Sequence, residues 1–114
     1  MHTDRIALIE SLLGREIPFR FVSVAEALRL APGAALRDLA ALEDALHVPM
    51  RAALAGEGDP FELAAQLAQA VLQAQALTQD NDLAARAAAA LLLRKNGVEF
   101  TPEASQALEK RLKA

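Results

Sequence analysis

The amino-acid sequence predicts an all-α fold, a compact bundle of six or seven short antiparallel helices. Three observations carry that expectation. Apolar residues make up 54% of the chain and are mostly Ala and Leu, the strongest helix formers among nonpolar side chains. The types that strands draw on are sparse, with Tyr and Trp absent and Phe confined to positions 19, 21, 61 and 100. Helix-starting and helix-stopping residues also recur at short, uneven intervals along the whole chain.

Thr3 caps a first predicted helix over residues 4–13, with Ile6, Ile9, Leu12 and Leu13 on one face and Gly14 as its stop. Residues 15–22 read as an extended connector whose Phe19 and Phe21 rings plug the core. Ser23 and Glu26 have the spacing of a capping box opening a short helix over 24–30, which Pro32 and Gly33 break. A third helix is predicted over 34–46 from Leu36, Leu39, Leu42 and Leu46 at helical spacing. Pro49 opens a short turn through Leu54, closed by Gly56 and Gly58.

Asp59 and Pro60 read as the cap and first residue of a long helix over 60–78, whose buried stripe is Leu63, Leu67, Val71, Ala74 and Leu77. Asp80, Asn81 and Asp82 turn the chain and cap a helix over 83–95, closed by Asn96 and Gly97. Thr101, Pro102 and Glu103 start the last helix. Short links imply antiparallel neighbours, so residues 60–95 should form an αα-hairpin in which Ala84, Ala87, Ala88 and Ala90 let the backbones approach. Acids gather at the predicted starts and bases at the late ends, an arrangement the helix dipole favours by roughly 0.3–1 kcal/mol per well-placed charge. The chain reads as one helical domain, with residues 56–59 as the hinge that would divide 1–55 from 60–114.

Composition narrows the function classes. With no cysteine there is no disulfide framework, thiolate chemistry or Cys-based zinc site. A net charge of −3 argues against a dedicated nucleic-acid binder or anionic-membrane binder, which carry a basic stripe. The polar opening Met1-His2-Thr3-Asp4 predicts no secretory leader. The longest uncharged run, residues 63–79, is interrupted by five glutamines, whereas a membrane span needs about twenty predominantly apolar residues. The expectation is a soluble cytoplasmic protein whose Ala/Leu/Arg bias resembles that of GC-rich bacterial genomes.

A catalytic or metal site would need a constellation that the sequence does not present. Glu43 and His47 lie four apart on one helix face but lack a third ligand. Residues 80–82 resemble the start of a calcium loop without its central Gly or its downstream Glu, and helix capping accounts for them. Gly56-Glu57-Gly58 precedes a helix without the lysine or strand of a phosphate loop. No enzyme, metal or cofactor is expected. Gln66, Gln69 and Gln73 form a ridge on the long helix. It is either a plain solvent face or an uncharged face suited to helix–helix contact, because glutamine costs less to bury than Glu or Lys when its amide is bonded.

Residues 23–43 include Ser23, Val24 and Glu26, and later Arg37, Asp38, Leu39, Leu42 and Glu43. This stretch resembles the helix-turn-helix of winged-helix bacterial regulators of the deoxyribose-repressor type. The resemblance implies DNA binding, with Ala34, Ala35 and Arg37 near the major groove and Arg29 near the backbone. It departs from that family in a link about one turn shorter, in Leu36 where a second arginine is usual, and in a helix-like 47–55 where a β-wing would follow.

Two functional readings result. The first is a non-catalytic helical interaction module that binds another protein or itself as a homo-oligomer, with Leu63, Gln66, Leu67, Gln69, Val71 and Gln73 as the interface. The alternative is a DNA-binding regulator that reads DNA with residues 23–47 and dimerises through its C-terminal helices. A membrane role is not expected, because the polar faces lack Lys/Arg enrichment.

Overall fold

A computed structural model describes residues 19–113 of the chain, so the helix predicted over 4–13 lies outside the described residues. In chain order the helical segments are α1 (Val24–Arg29), α2 (Leu39–Leu46), α3 (Val48–Leu54), α4 (Pro60–Ala74), α5 (Asn81–Lys95) and α6 (Pro102–Lys113). Only His47 separates α2 from α3, and Pro49, which has no N–H to continue the ladder, follows at once. Taken as one interrupted helix, that pair leaves five helices among the described residues, where the sequence predicts six or seven over the whole chain. The described residues contain no strand beyond one isolated bridge. The Cα radius of gyration is 13.7 Å, close to the ~13 Å of a compact chain of this length.

Helix α4 is the hub. It packs most extensively against α5, then against α6, α2 and α3. Leu63, Ala64 and Leu67 are wholly buried, and Ala65, Ala68 and Val71 nearly so. The buried residues form one cluster that runs from Phe21 to Leu108. No polar or charged side chain among the described residues is buried in it. The end of α4 (Ala68, Leu72) faces the start of α5 (Ala85, Arg86), so the two helices run antiparallel as the hairpin expected of residues 60–95.

The face that α5 buries differs from expectation. Ala84, Ala85, Ala88, Ala89, Leu92 and Leu93 are buried, while Ala87 and Ala90 are only half-buried. Alanine fills every position from 84 to 90 except Arg86, so local periodicity there is degenerate. Leu92 and Leu93, both fully buried, set the rotation.

Several caps follow the sequence. The Ser23 hydroxyl accepts from the Glu26 N–H at 3.1 Å, while the Ser23 N–H donates to the Glu26 carboxylate at 3.0 Å, completing the capping box. Asp59 caps α4 through the Phe61 N–H at 2.9 Å, and the Thr101 hydroxyl accepts from the Ala104 N–H at 3.1 Å. Gly56 (φ 110°) and Gly97 (φ 80°) stand just past the ends of α3 and α5, where a left-handed backbone reverses the chain.

Two predicted helices are shortened by the same feature. The helix expected over 34–46 starts only at Leu39, capped by Asp38, whose carboxylate accepts from the Ala41 N–H at 3.0 Å. The helix expected over 60–78 stops at Ala74, because Gln75 turns left-handed (φ 47°). The residues released from both ends pair with each other. Leu36 bridges Leu77 antiparallel, the Ala76 carbonyl accepts from the Arg37 N–H at 2.7 Å, and the Ala35 carbonyl accepts from the Thr78 N–H at 2.9 Å. The Thr78 hydroxyl accepts from the Ala35 N–H at 3.0 Å. Local helix propensity in Ala34–Leu36, worth only tenths of a kcal/mol per residue, yields to these long-range bonds.

The pairing is closed on its outer side by Asn81. Its side-chain oxygen accepts from the Leu77 N–H and its amide donates to the Leu77 carbonyl, both at 3.1 Å. Asn81 is therefore the first residue of α5, which begins two residues before the expected start at Leu83, and Asp80 (φ 60°) makes no side-chain cap.

Two ionic latches hold the periphery. Lys95 at the end of α5 donates to the Phe21 carbonyl at 2.8 Å and to Glu26 at 2.6 Å, while the Asn96 side chain bonds both backbone groups of Arg20. These bonds fix the 19–22 connector, with Phe21 buried and Phe19 packed on the cluster edge. Arg111 near the end of α6 donates to Asp59 at 2.7 Å and lies 5.4 Å from the Phe61 ring centroid, tying the last helix to the first turn of α4.

Partial burial pushes the Glu26 carboxyl up, but hydrogen bonds from Lys95 and Ser23 and the Lys95 charge outweigh it and hold the pKa below the ordinary value. Asp59 is similar: burial raises it, while the Arg111 hydrogen bond, the Phe61 and Glu62 N–H groups and the Arg111 charge lower it. Both carboxyls bind their protons less tightly folded than unfolded. Their contribution is thus complete above the ordinary carboxylate range and is lost as pH falls through that range to the lowered values. Urea unfolding followed from neutral to acidic pH should show stability declining there, with a shallower decline in Glu26→Gln. Asn81→Ala should cost about 1–2 kcal/mol in the same assay, the range for a polar clamp whose backbone partners lose their bonds.

Candidate protein interface

The six residues proposed for the interface divide by burial. Leu63, Leu67 and Val71 lie inside the chain's own core, with accessibilities of 0%, 0% and 4%. The chain's own helices thus cover all three side chains. Their i, i+4, i+8 spacing makes a single stripe, and α4 is covered along that stripe by the other helices. Gln66 is half-buried and donates to Glu62 at 3.3 Å, one turn back on the same helix. Gln69 and Gln73 are exposed.

Gln69 and Gln73 border different grooves. On one side, α4, α5 and α6 enclose a groove of about 240 Å³, walled by Ala68, Gln69 and Leu72 of α4, Ala85 of α5 and Leu112 of α6. Its charged rim is Asp82, Arg86, Glu109 and Lys113. Arg86 lies 3.5 Å from Asp82 and also pairs with Glu109, which bridges α5 to α6 across the groove. On the other side, Gln73, Ala70 and Ala74 face Ala41, Ala45 and Val48 across a shallower groove of about 290 Å³, with Asp44 and Arg51 at its edge.

Leu72 is the residue that the glutamine ridge concealed. It stands between Gln69 and Gln73, off the buried stripe, and is 41% exposed. The sequence signal was present: an apolar side chain on the polar side of an otherwise amphipathic helix. Arg86, Glu109 and Lys113 carried no such signal, because only the docking of α6 brings them together.

The residues assigned to DNA contact are not carried by one helix. Arg29 is exposed in the last turn of α1. Ala34, Ala35 and Arg37 lie in the extended segment before α2, because that segment pairs with 76–78. The Arg37 guanidinium donates to the Gln75 carbonyl and helps to hold the left-handed end of α4. Asp38, Glu43 and Asp44 add negative charge beside it in sequence.

Glu43 and His47 stand one turn apart at the end of α2, and no group of three His, Asp or Glu side chains placed to hold a metal occurs among the described residues. No helix among those residues is long and apolar enough to cross a membrane. Comparison with protein-family models, with curated proteins and with solved structures finds no match to this chain.

The division between core and surface on α4 is measurable. Leu67→Ala should cost about 2–5 kcal/mol in urea unfolding, as expected for a fully buried leucine. Leu72→Ala should stay within about 0.5 kcal/mol of the parent chain.

Proposed function

We propose that this chain is a non-catalytic helical interaction module that associates with itself through the outer side of the α4–α5 hairpin and the end of α6. The observation that carries this reading is Leu72, a large apolar side chain exposed on a helix and set in the wall of a groove with Ala68, Ala85 and Leu112. Covering such a side chain removes apolar surface from water, which favours association. Gln69 next to Leu72 supports the same use, since an uncharged amide can enter an interface without the desolvation cost of Glu or Lys.

Arg37, the residue most important to the DNA reading, is bonded to the Gln75 carbonyl, and the chain carries a net charge of −3. Both features weigh against phosphate binding as the main role.

Sedimentation velocity from low to high micromolar concentration should show reversible self-association of the full chain. Leu72→Asp should weaken it by about tenfold or more while leaving the circular dichroism spectrum unchanged. A strict monomer over that range would sink the proposal. Low-salt binding of mixed duplex DNA that disappears in Arg29→Ala and Arg37→Ala would replace it with the alternative.

A further inference from the structure

We propose that Asn96 is a site of spontaneous deamidation, and that its product no longer holds the 19–22 connector against the end of α5. The chain has two asparagines, and Asn96 is the one that precedes a glycine. A glycine nitrogen has no Cβ beside it to crowd its approach to a neighbouring side chain. Gly97 stands at φ 80°, with open space where a Cβ would be. Asn81 instead precedes Asp82, whose side chain crowds the nitrogen that would react.

The step needs no reagent but water. The Gly97 nitrogen gives its proton to solvent and attacks the side-chain carbonyl carbon of Asn96. The new bond closes a cyclic imide, and the Asn96 amide nitrogen leaves as ammonia. Water then opens the ring at one of its two carbonyls. The products are an aspartate, or an isoaspartate in which the main chain runs through the side-chain carbon.

In the folded chain both reacting groups are occupied. The Gly97 N–H donates to the Arg94 carbonyl at 3.1 Å. The Asn96 side chain makes three bonds of 2.7 Å: its oxygen accepts from the Arg20 N–H, and its amide donates to the Arg20 and Leu92 carbonyls. The reaction therefore waits on local opening of this helix end. Once it has occurred, the end cannot close as before. A carboxylate has no donor, so the Arg20 and Leu92 carbonyls meet an oxygen where they met an N–H. The new negative charge also lies at the C-terminus of α5, where the helix dipole disfavours it. The connector keeps the Lys95 bond to the Phe21 carbonyl but loses the one that held the Arg20 carbonyl.

Arg20 supplies the readout, because trypsin cleaves at the very carbonyl that Asn96 holds. The full chain would be aged at mildly alkaline pH, both natively and in urea, and mapped by peptide mass spectrometry. Conversion should appear at Asn96 ahead of Asn81, about tenfold or more slower in the native chain than in urea. The aged native chain and Asn96→Asp should both be cut after Arg20 about tenfold or more faster than the fresh parent. Cleavage after Arg51 in α3 should not change. No conversion at Asn96 would overturn the site, and equal rates in native buffer and urea would overturn its control by the fold. Conversion that leaves cleavage after Arg20 unchanged, or that raises cleavage after Arg51 equally, would overturn the local release.

Discussion

Burial of α4 is the constraint on which the rest of this structure depends. One helix of fifteen residues is packed against α5 and α6 on one flank and against α2 and α3 on the other. Burying a leucine completely is worth roughly 1.5–3 kcal/mol, and Leu63 and Leu67 are both fully enclosed. Of the helices packed on α4, α2 and α3, of eight and seven residues, would be marginal alone. Their stability comes from the surface α4 offers them. The alanines of α5 have the same dependence. Ala84, Ala85, Ala88 and Ala89 contribute little area individually, but they let the two backbones approach closely enough for Leu92 and Leu93 to reach the core.

The ends of α4 are where polar chemistry takes over. At its start, Asp59 both caps the helix and receives Arg111 from α6. At its finish, left-handed Gln75 frees residues 76–78 to pair with 34–38, and Asn81 then acts as a peptide mimic on the open side of Leu77. A left-handed residue other than glycine costs about 1–2 kcal/mol. The offset is visible in the bonds that it makes available to Ala35, Arg37, Ala76 and Thr78. Arg37 adds its guanidinium to the Gln75 carbonyl, which makes an exposed arginine part of the scaffold.

With its buried stripe consumed by the fold, α4 has only its outer side left for function. That side is almost uncharged: Gln69, Leu72 and Gln73 form a crest between two grooves. The crest differs from an ordinary solvent face because Leu72 interrupts it, next to a recess whose rim charges cancel. The self-association proposed above follows from this local arrangement.

The sequence alone determined the helical class and most of the punctuation. Ala and Leu content, the Ser23–Glu26 box, Asp59-Pro60 and Thr101-Pro102 act through neighbouring backbone, so their consequences can be read without tertiary information. The Leu63, Leu67, Val71 stripe was equally legible as a buried face, and the chain itself supplies its cover. What only the tertiary structure decided lies where local preference is weak or degenerate. The run of alanines in α5 had no periodicity to choose a face. The helix-forming residues 34–37 were drawn into pairing with residues some forty positions away. The candidate site belongs to this second group, since Leu72 could be noticed in the sequence but its groove exists only once α6 docks across α4 and α5.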